Sequence, residues 1–231
     1  PPDRPGPLLE WRLRTEIIAP VALNGPRAVD RPYATSLSLG LHAHWRALGG
    51  EAAAGADLVV AGPQTGLGEF MDRAHERLGA QDIDDAVLDG QVGNGIHPTL
   101  LASWARPMRL SPALTLRPFA ELQWGAEDLA RAGADVILGG AAQDALWLRD
   151  VPSGQLYQGI EGSTTGLSLV VGADWAAVGS SAWLPEDRGF AAEDERLRAR
   201  AGVHWQVAPG TAFFYGAAWL SPEFVGQEEG Q

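Results

Sequence analysis

Long stretches of this chain alternate strictly between apolar side chains and side chains that are charged or strongly polar, and that pattern limits the available folds most. Tyr33 to Trp45 is the cleanest case: Tyr33, Thr35, Leu37, Leu39, Leu41, Ala43 and Trp45 share one face, and Ala34, Ser36, Ser38, Gly40, His42 and His44 share the other. An aromatic stands at each end of the apolar face, and the run is longer than the usual strand of about 5–6 residues. Leu8 to Ile18 repeats the scheme, with Leu9, Trp11, Leu13, Thr15 and Ile17 against Glu10, Arg12, Arg14 and Glu16. So does Leu197 to Val207, with Leu197, Trp205 and Val207 against Arg198, Arg200, His204 and Gln206. A β-sandwich needs apolar inner faces and shows shorter, more varied strands. A barrel in lipid needs the inverse arrangement, apolar outside with charged partners paired inside. The pattern favours the barrel, although alternation alone does not say which face is inside.

The rest of the chain follows the same alternation. Further strands are read at Glu51 to Ala61, Thr99 to Arg106, Ala113 to Trp124, Leu129 to Gly139, Gly166 to Val178 and Thr211 to Leu220, with a short one at Ala145 to Arg149. Thr99 to Trp124 reads as a hairpin across Arg109-Leu110-Ser111-Pro112, and Pro118 argues against a conventional central strand there. The acidic stretches Ala80 to Gly95 and Leu184 to Asp194 read as exposed loops. The expected architecture is all-β: about nine antiparallel strands in hairpin order, in one domain spanning 1–231, with one short helix at about 67–79.

That helix breaks the pattern. In Gly62 to Gly79, Leu67, Phe70, Met71, Ala74 and Leu78 fall on one face and Glu69, Asp72, Arg73, Glu76 and Arg77 on the other. His75 lies at the seam, and Asp72, three residues earlier, is on its side of the helix. The apolar face is expected to dock the helix onto the barrel.

Composition narrows the function classes. A net charge of -12 and a pI near 4.7 disfavour nucleic acid as a partner. With no cysteine, a thiolate nucleophile, Cys-ligated zinc and disulfides are excluded. No apolar run approaches the roughly 18 residues of a membrane helix, which leaves a β-barrel open. Nine tryptophans suit either membrane–water interfaces or an ordinary core. His42 and His44 share a strand face, but on a wet lumen face such residues are more often polar filling than metal ligands. Glu10, Arg12, Arg14, Glu16, Arg117, Glu121, Arg198 and Arg200 read as ion pairs inside a lumen, with no catalytic role. His97 reads as a loop residue without a role.

Four segments together are distinctive: DRPYATSLSLGL (Asp30 to Leu41), VVAGPQTGLG (Val59 to Gly68), DRAHERLGA (Asp72 to Ala80) and SPEFVGQ (Ser221 to Gln227). In order and spacing they resemble the lipid A deacylase (LpxR) family of outer-membrane β-barrels, from about Leu8 to Gln231. The resemblance implies a transmembrane barrel of about twelve strands, an even number as in bacterial barrels generally. About nine are present here, so the chain is expected to be incomplete at both termini; the family's Asn-Asp pair would lie on a strand preceding Leu8.

The resemblance also implies an activity: calcium-dependent hydrolysis of the 3'-linked acyloxyacyl ester of lipid A, in the bacterial outer membrane. Lipid A or lipopolysaccharide and membrane lipids would be the partners of a monomeric enzyme. His75 would be the general base, Asp72 would orient it, and Asn24 and Arg27 would contact the substrate or the developing oxyanion. The family's carboxylate falls on Gln81, six residues after His75. Glutamine is neither a charged ligand nor a base, so a metal contact would fall to Gln81 with Asp82, and Asp84 is near. Gln81 therefore also leaves room for a barrel of the same fold that binds lipopolysaccharide or stabilises the envelope without catalysis.

Overall fold

The computed structural model describes residues 1–23, 30–79, 83–141, 145–160, 162–227 and 230. Nine long strands form a strongly curled antiparallel sheet: β1 (Leu9–Ile18), β2 (Ala34–Ala47), β3 (Gly50–Ala61), β4 (Gly95–Ala105), β6 (Leu114–Trp124), β7 (Glu127–Gly139), β10 (Gly166–Ser181), β11 (Glu195–Ala208) and β12 (Thr211–Leu220). Each pairs with the next in that order, and β5 (Met108–Ser111) adds a short tenth strand beside β6. Among the described residues, β1 and β12 are the two ends of this path.

Burial shows which face is inside. Trp11 is 73% exposed, and Leu13, Leu39, Leu58, Leu100, Leu122, Trp124, Leu167 and Trp205 also point outward. His42, His44, Arg117, Glu121, Arg131, Asp135, Asp174, Arg198, Arg200 and His204 are buried on the concave side. This is the inverted arrangement of a barrel in lipid, where strands pair to satisfy the backbone and polar side chains fill the interior. Tyr33 departs from the expected aromatic girdle: it is 2% exposed, because helices at the strand end cover it.

The interior is held by charge pairing across strands. Asp174 on β10 accepts hydrogen bonds from Arg198 on β11 at 3.0 Å and from Arg200 at 2.5 Å, and forms an ion pair with Arg131 on β7 at 3.1 Å. Asp135 on β7 bonds Arg200 at 2.6 Å, although β10 runs between their strands. The register explains how: Asp135, Gly172 and Arg200 lie in one row across β7, β10 and β11. A Cβ at Gly172 would collide with the Asp135 carboxylate and the Arg200 guanidinium, so the glycine is the slot through which they meet.

A second, two-stranded sheet lies outside this path. β8 (Leu146–Arg149) and β9 (Leu156–Ile160) form a hairpin between β7 and β10 that folds into the concavity. Arg149 bonds Asp135 at 2.6 Å and sits 3.5 Å over the Phe119 ring. Trp147 meets His204 edge-on, and Gln155 donates to the Ala201 and Ala217 carbonyls. Leu156 and Trp147 complete a small apolar cluster with Ile137, Ala145 and Val170. The short strand expected at Ala145 to Arg149 therefore exists, but it plugs the lumen and is not a barrel stave. Its partner, Leu156–Ile160, has no clear alternation of its own.

Two further expectations are corrected. The stretch Ala80 to Gly95 contains a helix, α2 (Asp85–Asp89), whose N-cap Asp84 accepts from the Ala86 amide. His97 lies in β4, paired with Val59 of β3. Pro118, by contrast, is accommodated in a long strand. Its carbonyl accepts from the Arg106 amide at 2.9 Å, so its missing N–H faces Arg106 at the break between β4 and β5, and at most one reciprocal bond is lost there.

Connections differ between the two ends. At one end, Leu48 and Gly49 join β2 to β3 with φ of 52° and 70°, the signs of a type I′ turn. At the other end are the 19–33 connection, the helical 62–94 connection, the 182–194 connection and the segment after β12. Outer-membrane barrels carry short turns on one side and long loops on the other.

Replacing Gly172 with valine is expected to separate Arg200 from Asp135. Overpacking of this kind costs about 1–3 kcal/mol. Urea unfolding of the detergent-folded protein should show a lower midpoint for Gly172→Val, and an unchanged midpoint would contradict the slot.

Candidate active site

Every conspicuous sequence motif meets at the long-loop end. Helix α1 (Leu67–Leu78) starts at Gly66 and stops at Gly79, both in the left-handed conformation, and the Gly79 amide donates back to the Glu76 and His75 carbonyls. Before it, a 3-10 turn (Pro63–Thr65) is tied down on several sides. Gln64 bonds the Asn94 side chain and the Ala61 and Gly95 carbonyls, and Thr35 bonds Thr65 at 3.0 Å and the Gly62 carbonyl. Gly62 has φ of 87°, and a Cβ there would strike the Gly93 carbonyl and the Asn94 amide. The Gly-Pro pair therefore clamps the root of α1 onto the start of β4.

The DRPY and EF segments are joined in space. The Asp30 carboxylate accepts from the Val21, Ala22 and Arg31 amides and closes the base of the 19–33 connection. Arg31 reaches Glu223, just after β12, at 2.5 Å. Burial lowers the Arg31 pKa, and the Glu223 charge opposes this. Neither residue has a role that its own sequence neighbourhood reveals. The co-occurrence of the two motifs, so far apart in the chain, was the signal that could have paired them.

Tyr33 lies beneath the helices. It packs with Ile83 and Val87, and Met71 of α1 leans on the same cluster. Its hydroxyl has no hydrogen-bond partner among the described residues. Burial raises its pKa, and the nearby Asp72 charge adds to the rise.

His75 and Asp72 are both half-buried on α1, one turn apart. The docking of the helix differs from the amphipathic expectation. Only Met71 among the long apolar side chains of its stripe packs on the Tyr33 cluster, while Phe70 is 60% and Leu78 82% exposed. Tyr33 and α2 are small supports and cover only part of a helix three turns long.

The remaining site expectations lie elsewhere. Asn24 and Arg27, and Gln81 and Asp82, fall outside the described residues. The ends of their two segments are bonded to each other: Asp84 donates to the Leu23 carbonyl at 2.9 Å. Among the described residues no three acidic, histidine or cysteine side chains converge to hold a metal ion. Calcium takes about 6–8 oxygen ligands, so the described residues by themselves do not fit it. His42 and His44 are engaged separately, with Asp57 at 3.1 Å and Glu10 at 2.8 Å.

A raised Tyr33 pKa has a definite sign. The neutral phenol is favoured in the folded state, so this stabilisation is complete below the ordinary tyrosine value of about 10 and is lost as pH rises through the folded value. Ultraviolet titration of wild type and Tyr33→Phe should show that the signal missing from the variant is one that emerges above pH of about 10. Ionisation of that signal at the ordinary value would contradict the burial.

No family model matches the chain, and no curated protein sequence does. Among solved structures, LpxR from Salmonella typhimurium superposes with a TM-score of 0.76 at 21% identity, over 96% of this chain and 79% of that one. The fold is LpxR-like, as the sequence resemblance implied.

Proposed function

We propose that this LpxR-like barrel is a bacterial outer-membrane ester hydrolase that removes the 3'-linked acyloxyacyl chain of lipid A. The observation that carries the reading is the LpxR-like fold with a helix bearing His75 at its long-loop end. That end is where an outer-membrane barrel meets the outer leaflet, and lipid A is the acylated lipid there.

In this reading His75 is the general base. Its imidazole takes a proton from water as the water oxygen attacks the ester carbonyl carbon. The tetrahedral intermediate then expels the 3'-oxygen of the sugar, and the histidine returns the proton to it. Asp72 holds the ring orientation, and Asn24 and Arg27 supply donors for the oxyanion. Calcium, if bound, would supply charge stabilisation at the carbonyl. The enzyme works as a monomer, with lipopolysaccharide and the surrounding lipids as partners.

Gln81 favours a second reading, a barrel that binds lipopolysaccharide without cleaving it, because glutamine stands where the resemblance places a carboxylate. Purified protein in detergent, mixed with lipid A and followed by mass spectrometry, separates the two. Hydrolysis predicts loss of the acyloxyacyl mass, and His75→Ala should slow it by about 10²–10⁴-fold. Chelation of divalent ions should lower the wild-type rate if calcium is used. Normal activity in His75→Ala removes the assigned base, and binding with no mass loss in wild type selects the second reading.

A further inference from the structure

Helix α1 stands on the outer side of the sheet. Ile17 of β1 and Thr35 of β2 are cross-strand partners on the face that carries Trp11, Leu13, Leu39 and Leu41, and Tyr33 continues the same alternation. The helix and its root rest on these residues. Met71 and Ile17 pack against the Tyr33 cluster, and Thr35 bonds Thr65 and the Gly62 carbonyl in the turn before α1.

The apolar belt of the barrel begins directly beside this mount. The next outward-facing row after Thr35 is Leu37 of β2, Val60 of β3 and Ile96 of β4, which are cross-strand partners. Leu37 and Ile96 are exposed, and Leu39, Leu58 and Leu100 continue the exposed surface away from the loops. So α1 is fixed at the long-loop edge of the belt.

The helix presents three surfaces. The half-buried Leu67, Met71, Ala74 and His75 mark the side toward the wall. Phe70 and Leu78, with Ala74 between them at four-residue spacing, form one flank, and both are exposed. Glu69, Asp72 and Glu76 form the other flank. Arg73 and Arg77 are exposed along the outer border of the Phe70 flank.

A helix held against the outside of a barrel wall turns one flank toward the bilayer and the other toward water. Chemistry assigns them here. The carboxylates belong in water, while an aromatic ring and a leucine continue the leucine belt and are removed from water by acyl chains. The arginines fit the same seat, because a guanidinium at the border reaches lipid phosphates while its stem lies along apolar surface. Arg77 forms no ion pair among the described residues, and the Arg73 pair with Glu69 is long, 4.0 Å, and exposed, so it holds Arg73 weakly.

We infer that the Phe70–Leu78 flank of α1 is a lipid-docking surface, seated among acyl chains at the membrane edge with Arg73 and Arg77 level with the headgroup phosphates. This seat fixes the wall-facing His75 at that edge. The inference rests on the barrel reading of the fold and not on the proposed hydrolysis.

The chain has no cysteine, so a single introduced cysteine takes a bimane label at one place only. Phe70→Cys and Leu78→Cys report the apolar flank, Glu76→Cys the acidic flank and Leu39→Cys the middle of the wall. Each labelled full chain is folded into vesicles of phosphatidylcholine and phosphatidylglycerol, with doxyl-labelled acyl chains in one arm and iodide in the water in the other. The Phe70 label should be quenched by the doxyl chains, as the Leu39 label is, and iodide should quench it several times less than the Glu76 label. Leu78→Cys should behave like Phe70→Cys and takes its place should that variant fail to fold. If iodide reaches the apolar-flank labels as readily as the Glu76 label while doxyl chains still quench at Leu39, the inference falls and the barrel stands. Shielding from iodide without doxyl quenching identifies a protein on this flank, a second copy included, and overturns the inference equally. A Leu39 label untouched by doxyl chains overturns the barrel reading and the inference together.

Discussion

A guanidinium inside this sheet must find a carboxylate, and much of the concave face is arranged around that requirement. An unpaired charge away from water is costly, and breaking a buried pair typically costs about 3–5 kcal/mol. Asp174 and Asp135 meet it by gathering arginines from β7, β8 and β11, including one pair, Asp135–Arg200, that reaches across an intervening strand. That reach depends on Gly172 and on a register that keeps the three residues in one row. Slipping the register by one residue would turn these charges to the outer face and the leucines inward. Sheet geometry and charge pairing therefore fix one another.

The same requirement accounts for the inward hairpin. Arg149 and Gln155, together with Arg198 donating to the Val151 and Pro152 carbonyls, carry polar contacts between hairpin and sheet, and Leu156 and Trp147 carry apolar ones. The lumen is thus filled by protein in its lower part. Above it, the Arg31–Glu223 pair links the connection after β1 to the segment after β12. Charge that stabilises the wall also organises the end at which α1 is mounted.

Strand positions and facing were legible because alternation over ten or more residues leaves little choice of register. The helix was legible from its period and its flanking glycines. The hairpin's role was not, since four or five residues of mixed character look alike in a wall or a plug. The docking of α1 was overread: its apolar stripe suggested a buried face, yet Phe70 and Leu78 are exposed because little lies against them. Tyr33 looked like an interfacial aromatic, but contacts from residues 50 positions later bury it, which no local pattern carries. The scaffolding roles of Asp30, Arg31 and Glu223 needed long-range pairing to be seen. Of the candidate site, the sequence located His75 and Asp72 on one helix, while the segments holding Asn24, Arg27, Gln81 and Asp82 are approached here only through their bonded ends.

The central claim is that water, activated at His75, attacks the 3'-linked ester carbonyl of lipid A. Oxygen-18 water tests it most directly. A single turnover in labelled water, followed by mass spectrometry of both products, should place the label in the carboxylate of the released acyl chain and none on the sugar hydroxyl. Label on the sugar, or no released acid from a folded protein, would contradict it.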